Sequence, residues 1–175
     1  MPPVAHAMRS AEPERWVRFH SLPDAKRYPE DDEEWEEVLH RADAVISAAC
    51  DSGEDLMVVT ALYGSPGAEP ARHEFQVEVQ PDADYWREAF VDPDEADWPL
   101  HLWTCWMTYS SHSLDSLIRR TAEWQLTGVL IVAPGSSIAM HAYDGGIDVL
   151  LPTPQERDVW ARRFSTWTSP HCSGL

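Results

Sequence analysis

The chain is short of lysine and has no long apolar run. Only Lys26 among its 13 basic residues is a lysine, whereas 30 residues are acidic, so the formal net charge is −17. A chain of this charge is repelled by phosphate backbones and anionic lipid headgroups, and we therefore expect neither a nucleic acid nor a membrane as its partner. No segment approaches the roughly 20 apolar residues of a membrane-spanning helix, and no signal-peptide core is present near the N-terminus. These absences favour a cytoplasmic protein.

Motifs for cofactors and for common catalytic sites are also missing. The three cysteines, Cys50, Cys105 and Cys172, are widely separated and form no CxxC pair, so neither a disulfide framework nor a zinc knuckle is predicted. The sequence contains no Walker A loop, GxGxxG, HExxH, EF-hand or GxSxG pattern. We therefore expect no cofactor, assign no catalytic residue, and favour a protein that is not an enzyme.

Length and composition predict one folded domain. The chain has 175 residues, of which 43% are hydrophobic, with nine tryptophans, and this is enough material for a core without disulfides. Residues 1–15 are rich in proline, alanine and charge without periodicity, so they are predicted to form a flexible N-terminal arm. A single α+β domain is expected over residues 16–175.

Three helices are indicated by apolar residues spaced three and four apart. The first covers residues 30–50 and begins with a dense run of carboxylates, which favour the positive end of the helix dipole. The second covers residues 113–125, with Ser113 as its N-cap. The third begins at Thr153, where the sequence TPQE matches a capping box.

Alternating or continuous apolar segments predict seven strands, and residues 85–90 are expected to form at most one helical turn. The expected strands are residues 16–20, 56–63, 75–80, 100–109, 129–133, 138–141 and 147–151. Together these elements predict an α+β fold, with three main helices packed on a mostly antiparallel or mixed sheet of about six or seven strands.

One histidine and two aspartates lie within a single predicted hairpin. His141, Asp144 and Asp148 are residues that bind metals or transfer protons, and the hairpin brings them near one another. The alternative interpretation is structural, because the sequence Asp144-Gly145 is typical of a turn. Spacing alone does not decide whether the three side chains converge.

A hydroxyl-rich segment precedes the second predicted helix. Ser110, Ser111, His112 and Ser113 combine hydroxyl groups with an imidazole, next to a helix start that favours anions. A Ser–His nucleophile also needs an orienting group and an oxyanion site, and no local signature of either is present. Helix capping is the simpler interpretation.

Two acidic tracts are the candidate partner-binding surface. The first is residues 30–37, and the second is the scattered set Asp82, Asp84, Glu88, Asp92, Asp94, Glu95 and Asp97. Carboxylates close together on one side of a protein speed its encounter with a basic partner, although a solvated helix face explains the first tract equally well. The predicted partner-binding residues are Glu33, Glu34, Glu36, Glu37, Asp94, Glu95, Asp97 and Trp98.

Four tryptophans lie in or beside the second tract, and aromatic residues dominate the energetics of many protein interfaces. Trp98 is the best candidate for an exposed anchor. Of Trp103 and Trp106, alternation along a strand sends one into the core. Trp86 remains unassigned to either role.

Two segments carry a resemblance to a known family. They are RFHSLP followed by KRYP at residues 18–29, and YDGG through LPTPQERD at residues 143–158. In these segments the chain resembles an uncharacterised bacterial family, a domain of unknown function found in small stand-alone proteins, over roughly residues 18–175. The resemblance implies a bacterial origin and one domain, and it implies no catalytic residues.

The leading functional hypothesis is an acidic protein-binding module, immunity- or antitoxin-like, that neutralises a basic protein partner. The alternative is a small hydrolase or metal-dependent enzyme with a site around His141, Asp144 and Asp148, together with His112 or His20. An enzyme needs several of these groups in one concave pocket, whereas a binding module needs an exposed acidic face with aromatic anchors.

Overall fold

A computed structural model describes residues 8–90 and 99–168. Within these residues, seven strands form one sheet in which every neighbouring pair is antiparallel, in the order β1-β7-β6-β5-β2-β4-β3. The strands are β1 (Trp16–His20), β2 (Asp55–Tyr63), β3 (Asp84–Ala89), β4 (Leu100–Thr108), β5 (Thr127–Ala133), β6 (Ile138–Tyr143) and β7 (Gly146–Leu150). The helices are α1 (Met8–Ala11), α2 (Asp32–Ala49), α3 (Glu74–Val79), α4 (Asp115–Ala122) and α5 (Pro154–Arg163). The predicted α+β fold is confirmed.

The three main helices, α2, α4 and α5, pack on one face of the sheet, here called the helical face. Side chains such as Phe19, Val58 and Ile131 point from the strands into this layer and meet Ile46 of α2 and Leu117 of α4. All five are at most 2% exposed. This layer is the main hydrophobic core.

The opposite face of the sheet, here called the open face, carries a second, smaller cluster. The strand registers place six apolar residues directly opposite one another across six strands, and we call them the apolar row. From β1 to β4 the apolar row is Trp16, Leu150, Ala139, Val132, Met57 and Trp106. Its β1 end is buried, whereas Trp106 at the β4 end is 63% exposed.

Part of the predicted N-terminal arm packs on this open face. Residues 8–11 form α1, and Met8 is only 1% exposed because it contacts the second cluster. The Arg9 guanidinium lies 5.0 Å from the centre of the Trp16 ring. Arg15 donates from Nε to the carbonyl oxygen of Leu151 at 2.8 Å. Residues 8–15 are therefore joined to β1 and β7.

Two predicted elements are wrong. Residues 75–80, expected as a strand, lie in α3 and its C-cap. His73 caps the first turn, and the buried side chains of Gln76 and Gln80, four residues apart, both hydrogen-bond to the Thr60 hydroxyl. The segment expected as a helical turn at residues 85–90 belongs to β3, which pairs with β4.

Helix boundaries agree with prediction at α2 and α5 and differ at α4. Asp31 caps α2 by accepting a hydrogen bond from the Glu34 backbone. In α4 the N-cap position is Leu114, and the Ser113 hydroxyl instead accepts from the Ser110 backbone. The predicted Ser113 N-cap is therefore wrong. In the described part of the chain, no helix combines the length and apolar character needed to cross a membrane.

Candidate functional site

The four candidate glutamates of α2 divide into two pairs with different surroundings. Glu33 and Glu36 are exposed, and neither makes an ion pair or a hydrogen bond through its side chain to any residue in the described ranges. They are three residues apart in α2 and therefore lie on the same side of the helix. Both carboxylates are therefore exposed to solvent and have no counter-charge from the described residues.

Glu34 and Glu37 are held by internal contacts. Lys26 donates from Nζ to both carboxylate oxygens of Glu34, at 2.6 and 2.8 Å. This contact lowers the pKa of the Glu34 carboxyl, and a hydrogen bond from the Glu30 backbone adds to the effect. Glu37 accepts from Arg41 Nε at 2.6 Å, and Arg41 also donates to the carbonyl oxygen of His20. Through these contacts, Glu34 joins the loop before α2 to the helix, and Glu37 and Arg41 join the helix to the end of β1.

Of the second acidic tract, only Asp82, Asp84 and Glu88 lie within the described residues. Asp94, Glu95, Asp97 and Trp98, all predicted to bind the partner, lie outside the described residues. Of the predicted partner-binding residues, only the four glutamates of α2 lie in the described part of the chain.

Most of the positive charge in the chain is used internally. Seven basic residues form ion pairs with carboxylates: Arg15, Arg18, Lys26, Arg27, Arg41, Arg120 and Arg157. Three more, Arg9, Arg119 and Arg163, have their guanidinium groups over aromatic rings. Because the chain has only 13 basic residues, few remain to neutralise exposed carboxylates.

The tryptophans separate clearly by exposure. Trp103 points to the helical face and is 2% exposed, with the Tyr85 ring packed edge-on at 5.5 Å between centroids. Its strand neighbour Trp106 points to the open face and is 63% exposed. The expectation that one of the pair is buried is confirmed. Trp86 is 43% exposed, beside an irregularity in the pairing of β3 with β4.

The predicted hairpin site contains a buried ion pair rather than a cluster of ligands. Asp148 lies opposite Arg18 on one neighbouring strand and opposite His141 on the other. Arg18 donates from Nε and Nη2 to the two carboxylate oxygens of Asp148, at 2.7 and 2.9 Å. The Arg18 guanidinium also lies 4.8 Å from the centre of the Tyr143 ring. Both carboxylate oxygens of Asp148 are therefore occupied by hydrogen bonds from Arg18.

Asp144, the third residue of the predicted hairpin site, has a different ion-pair partner from Asp148. Asp144 follows β6 and lies 3.6 Å, Oδ2 to Nε, from Arg27. Within the described residues no three His, Cys, Asp or Glu side chains are grouped closely enough to hold a metal ion. His141, Asp144 and Asp148 thus adjoin one another without forming a metal-binding set.

A cleft of about 210 Å³ opens where β5 and β6 separate at the end of the sheet. His141, Tyr143 and Asp144 line it on one side, and Trp124 and Thr127 on the other. Burial raises the pKa of the Tyr143 hydroxyl above its usual range. A tyrosine hydroxyl is already protonated at neutral pH without such a shift, so Tyr143 is a potential hydrogen-bond donor in the cleft.

The hydroxyl-rich segment is organised around a carboxylate that the sequence analysis did not select. Asp43 of α2 accepts hydrogen bonds from the Tyr109 hydroxyl at 2.8 Å, the Ser111 hydroxyl at 2.8 Å and the His112 backbone at 3.0 Å. His112 itself contacts Asp115 at 3.2 Å. The segment therefore joins β4 to α2. No local motif marks Asp43, because its partners are more than 60 residues away.

Comparison with known families gives a match over most of the chain. The model of a family described as a domain of unknown function (DUF3885) matches residues 4–172. A comparison with curated proteins and another with solved structures found no match.

Proposed function

Because the chain belongs to the DUF3885 family, whose description carries no activity, we propose its function from its own surface: it is an acidic protein-binding module. In this proposal it is a bacterial, cytoplasmic, immunity- or antitoxin-like protein, and it neutralises a basic protein partner through α2.

The observation that carries the proposal is the uncompensated pair Glu33 and Glu36. Both carboxylates are exposed on one side of α2, while Glu34 and Glu37 behind them are held by Lys26 and Arg41. The internal ion pairs hold α2 in place, but no counter-charge from the described part of the chain pairs with Glu33 or Glu36. A basic partner supplies that charge.

The net charge of −17 supports the same function at longer range. The summed field of a highly charged protein raises the association rate with an oppositely charged partner by about 10- to 1000-fold. Because the field is screened by salt, association through it weakens as ionic strength rises. Local contacts at Glu33 and Glu36 would then select the partner.

The alternative, a small hydrolase or metal-dependent enzyme, draws its support from the cleft beside His141 and Asp144. It receives less support than the binding module. Asp148, the second carboxylate it requires, forms a two-point ion pair with Arg18, and no grouping of potential ligands is present in residues 8–90 and 99–168.

The test is a pull-down of the purified protein against a lysate of its own host, with the retained protein identified by mass spectrometry. The variant is Glu33→Gln with Glu36→Gln, which removes two charges without touching the Lys26 or Arg41 contacts. We expect the native chain to retain one basic protein at low salt and the variant to retain at least about tenfold less, a change that corresponds to 1.4 kcal/mol.

The matched control is Glu69→Gln with Glu74→Gln, which removes the same charge from two exposed positions outside α2. The control is expected to retain the partner as the native chain does. An equal loss in both variants would mean that only bulk charge matters, and equal retention in all three proteins would exclude α2 as the binding surface.

A further inference from the structure

Trp106 ends the apolar row as an exposed aromatic side chain with carboxylates on both sides. It is directly opposite Met57, and Asp55 lies two residues before Met57 on the same face of β2. On its other side, Asp84 of β3 is opposite Thr104, the preceding open-face residue of β4. Asp55 and Asp84 are both exposed, and neither β2 nor β4 contains a lysine or an arginine. The charged open-face residues nearest to Trp106 on the two neighbouring strands are therefore acidic. Asp55 also accepts a hydrogen bond from the Thr108 hydroxyl at 2.8 Å, and Arg87 of β3 lies farther along, opposite Leu102.

The same part of β4 has an unpaired edge. β2 pairs with β4 along its whole length up to Thr108, but β3 pairs only with residues 100–104. In the described ranges no other backbone group bonds to the outer edge of residues 105–108. Unpaired N–H and C=O groups on a strand edge are a template for another strand.

Elsewhere the sheet edges are protected. The outer strand β3 has an irregular register between Tyr85 and Arg87 and carries charged side chains, two devices that discourage pairing. At the other edge β1 is only five residues long and carries Arg18, and a short strand with a charged side chain is also a poor template for pairing. Residues 105–108 show none of these features within residues 8–90 and 99–168, and they include Trp106, the most exposed large hydrophobic side chain of those ranges.

We propose that Trp106 and the outer edge of β4 at residues 105–108 bind an extended, basic segment of a partner protein, which joins the sheet as a further strand. Backbone hydrogen bonds to the β4 edge would supply affinity. Side chains alternate between faces along a strand, so every second side chain of the segment would lie on the open face, and one of these would be next to Trp106. An arginine or lysine there meets the face of the ring and the carboxylates of Asp55 and Asp84.

This surface is separate from the surface proposed for the binding of a basic protein. Trp106 lies on the open face and α2 covers the helical face, so the two surfaces are on opposite sides of the sheet. The inference therefore does not rest on the binding function proposed for α2, and each surface has its own variants.

The probe is a fluorescein-labelled peptide of eight residues in which arginine and threonine alternate, and binding to the full chain is followed by fluorescence anisotropy. Threonine favours an extended backbone and arginine supplies the charge. We expect saturable binding that Trp106→Ala weakens by about tenfold, a change within the range of cation–π and interface aromatic contacts. The matched control, Trp124→Ala, removes a tryptophan of similar exposure, 61%, from the other end of the sheet and is expected to change affinity less than twofold.

Two further measurements separate strand addition from simple charge attraction. Replacing two threonines of the peptide by proline removes backbone donors at constant charge, and this is expected to abolish binding. Asp55→Asn with Asp84→Asn is expected to weaken binding and to reduce its salt dependence, whereas Glu33→Gln with Glu36→Gln leaves it unchanged.

Three results of the peptide-binding measurements would contradict binding at Trp106 and the β4 edge. Equal binding of the proline peptide, equal binding by the Trp106 variant, or no binding by the native chain would each overturn it. Backbone amide shifts in NMR spectra on titration are expected at residues 105–108, and shifts confined to α2 would also overturn it while leaving the α2 proposal intact.

Discussion

At the scale of single residues, Asp43 shows how a half-buried carboxylate organises a loop. Burial alone would raise the pKa of the Asp43 carboxyl, but the hydrogen bonds from His112, Ser111 and Tyr109 outweigh it and hold this pKa below the usual range. Because the folded-state pKa is depressed, the charged form stabilises the fold. That contribution is fully present above the unfolded-state value of about 3.9 and is lost as pH falls through the folded-state value.

We therefore predict a pH-dependent effect of Asp43→Asn. At pH 7 the variant is expected to lower the free energy of unfolding in urea by about 1–3 kcal/mol, since hydrogen bonds to a charged group are lost. The difference from the native chain is expected to stay constant from pH 7 to pH 5 and to shrink below about pH 4. Asp82→Asn, at an exposed position, is the control and should have little effect. A difference that does not change with pH would contradict the ionised state of Asp43.

Asp148 illustrates what sequence reasoning about single residues misses. The hairpin correctly places His141 and Asp148 on neighbouring strands, directly opposite one another. The partner that decides the role of Asp148 is Arg18, which is 130 residues away in sequence and reaches it only because β1 pairs with β7. A contact set by the register of distant strands leaves no signal in local spacing.

At the scale of elements, α2 and the capping residue of α5 are predictable because several local signals agree. Asp31 accepts from Glu34 at the start of α2, and Thr153 accepts from the Glu156 backbone at the start of α5. The apolar stripe of α2 reaches the core through buried residues spaced three and four apart. Such helices can be predicted from sequence because the capping residue and the apolar periodicity indicate the same helix.

The two wrong elements fail for identifiable reasons. In α3 the apolar side chains alternate as in a strand, but Thr60 donates to Gln80 and accepts from Gln76, and two glutamines four residues apart reach one hydroxyl only from a helix. In β3 the charged residues belong to an edge strand, where alternation is weak because one side faces water. Tertiary contacts decide both segments.

The end of α4 supports a prediction about one backbone position. Trp124 has a φ of 62°, and its backbone N–H donates to the Thr121 carbonyl while that of Gln125 donates to the Arg120 carbonyl. This is the Schellman arrangement, in which glycine normally occupies the left-handed position. Trp124→Gly is therefore expected to raise the free energy of unfolding by about 0.5–1 kcal/mol.

Trp124→Ala is the control for that prediction, since alanine keeps the left-handed strain and removes the ring. Urea denaturation is expected to show no gain in stability for the alanine variant. If the glycine variant is less stable than the native chain, contacts of the ring in the cleft outweigh the backbone strain.

At the scale of the whole molecule, the charge is predictable from sequence but its distribution is not. Composition gives the net charge of −17 and the expectation of an acidic surface. It does not reveal that Lys26 and Arg41 neutralise Glu34 and Glu37, while Glu33 and Glu36 have no ion-pair partner among the described residues. Nor does it reveal that Trp106, rather than Trp103, remains exposed, because that depends on which face of the sheet receives the helices.

The excess carboxylates of the folded chain repel one another, and salt screens this repulsion. Raising sodium chloride from about 0.01 M to about 0.1 M shortens the Debye length from about 30 Å to about 10 Å, so repulsion between distant carboxylates falls more than attraction within the close ion pairs. We expect the midpoint of thermal unfolding at pH 7 to rise by a few degrees, where about 1 kcal/mol corresponds to 2–4 °C for a chain of this size. Near pH 4.6, the isoelectric point, the same addition of salt is expected to have almost no effect, because the net charge is close to zero. A midpoint that falls with salt at pH 7 would mean that the internal ion pairs contribute more to stability than the repulsion costs.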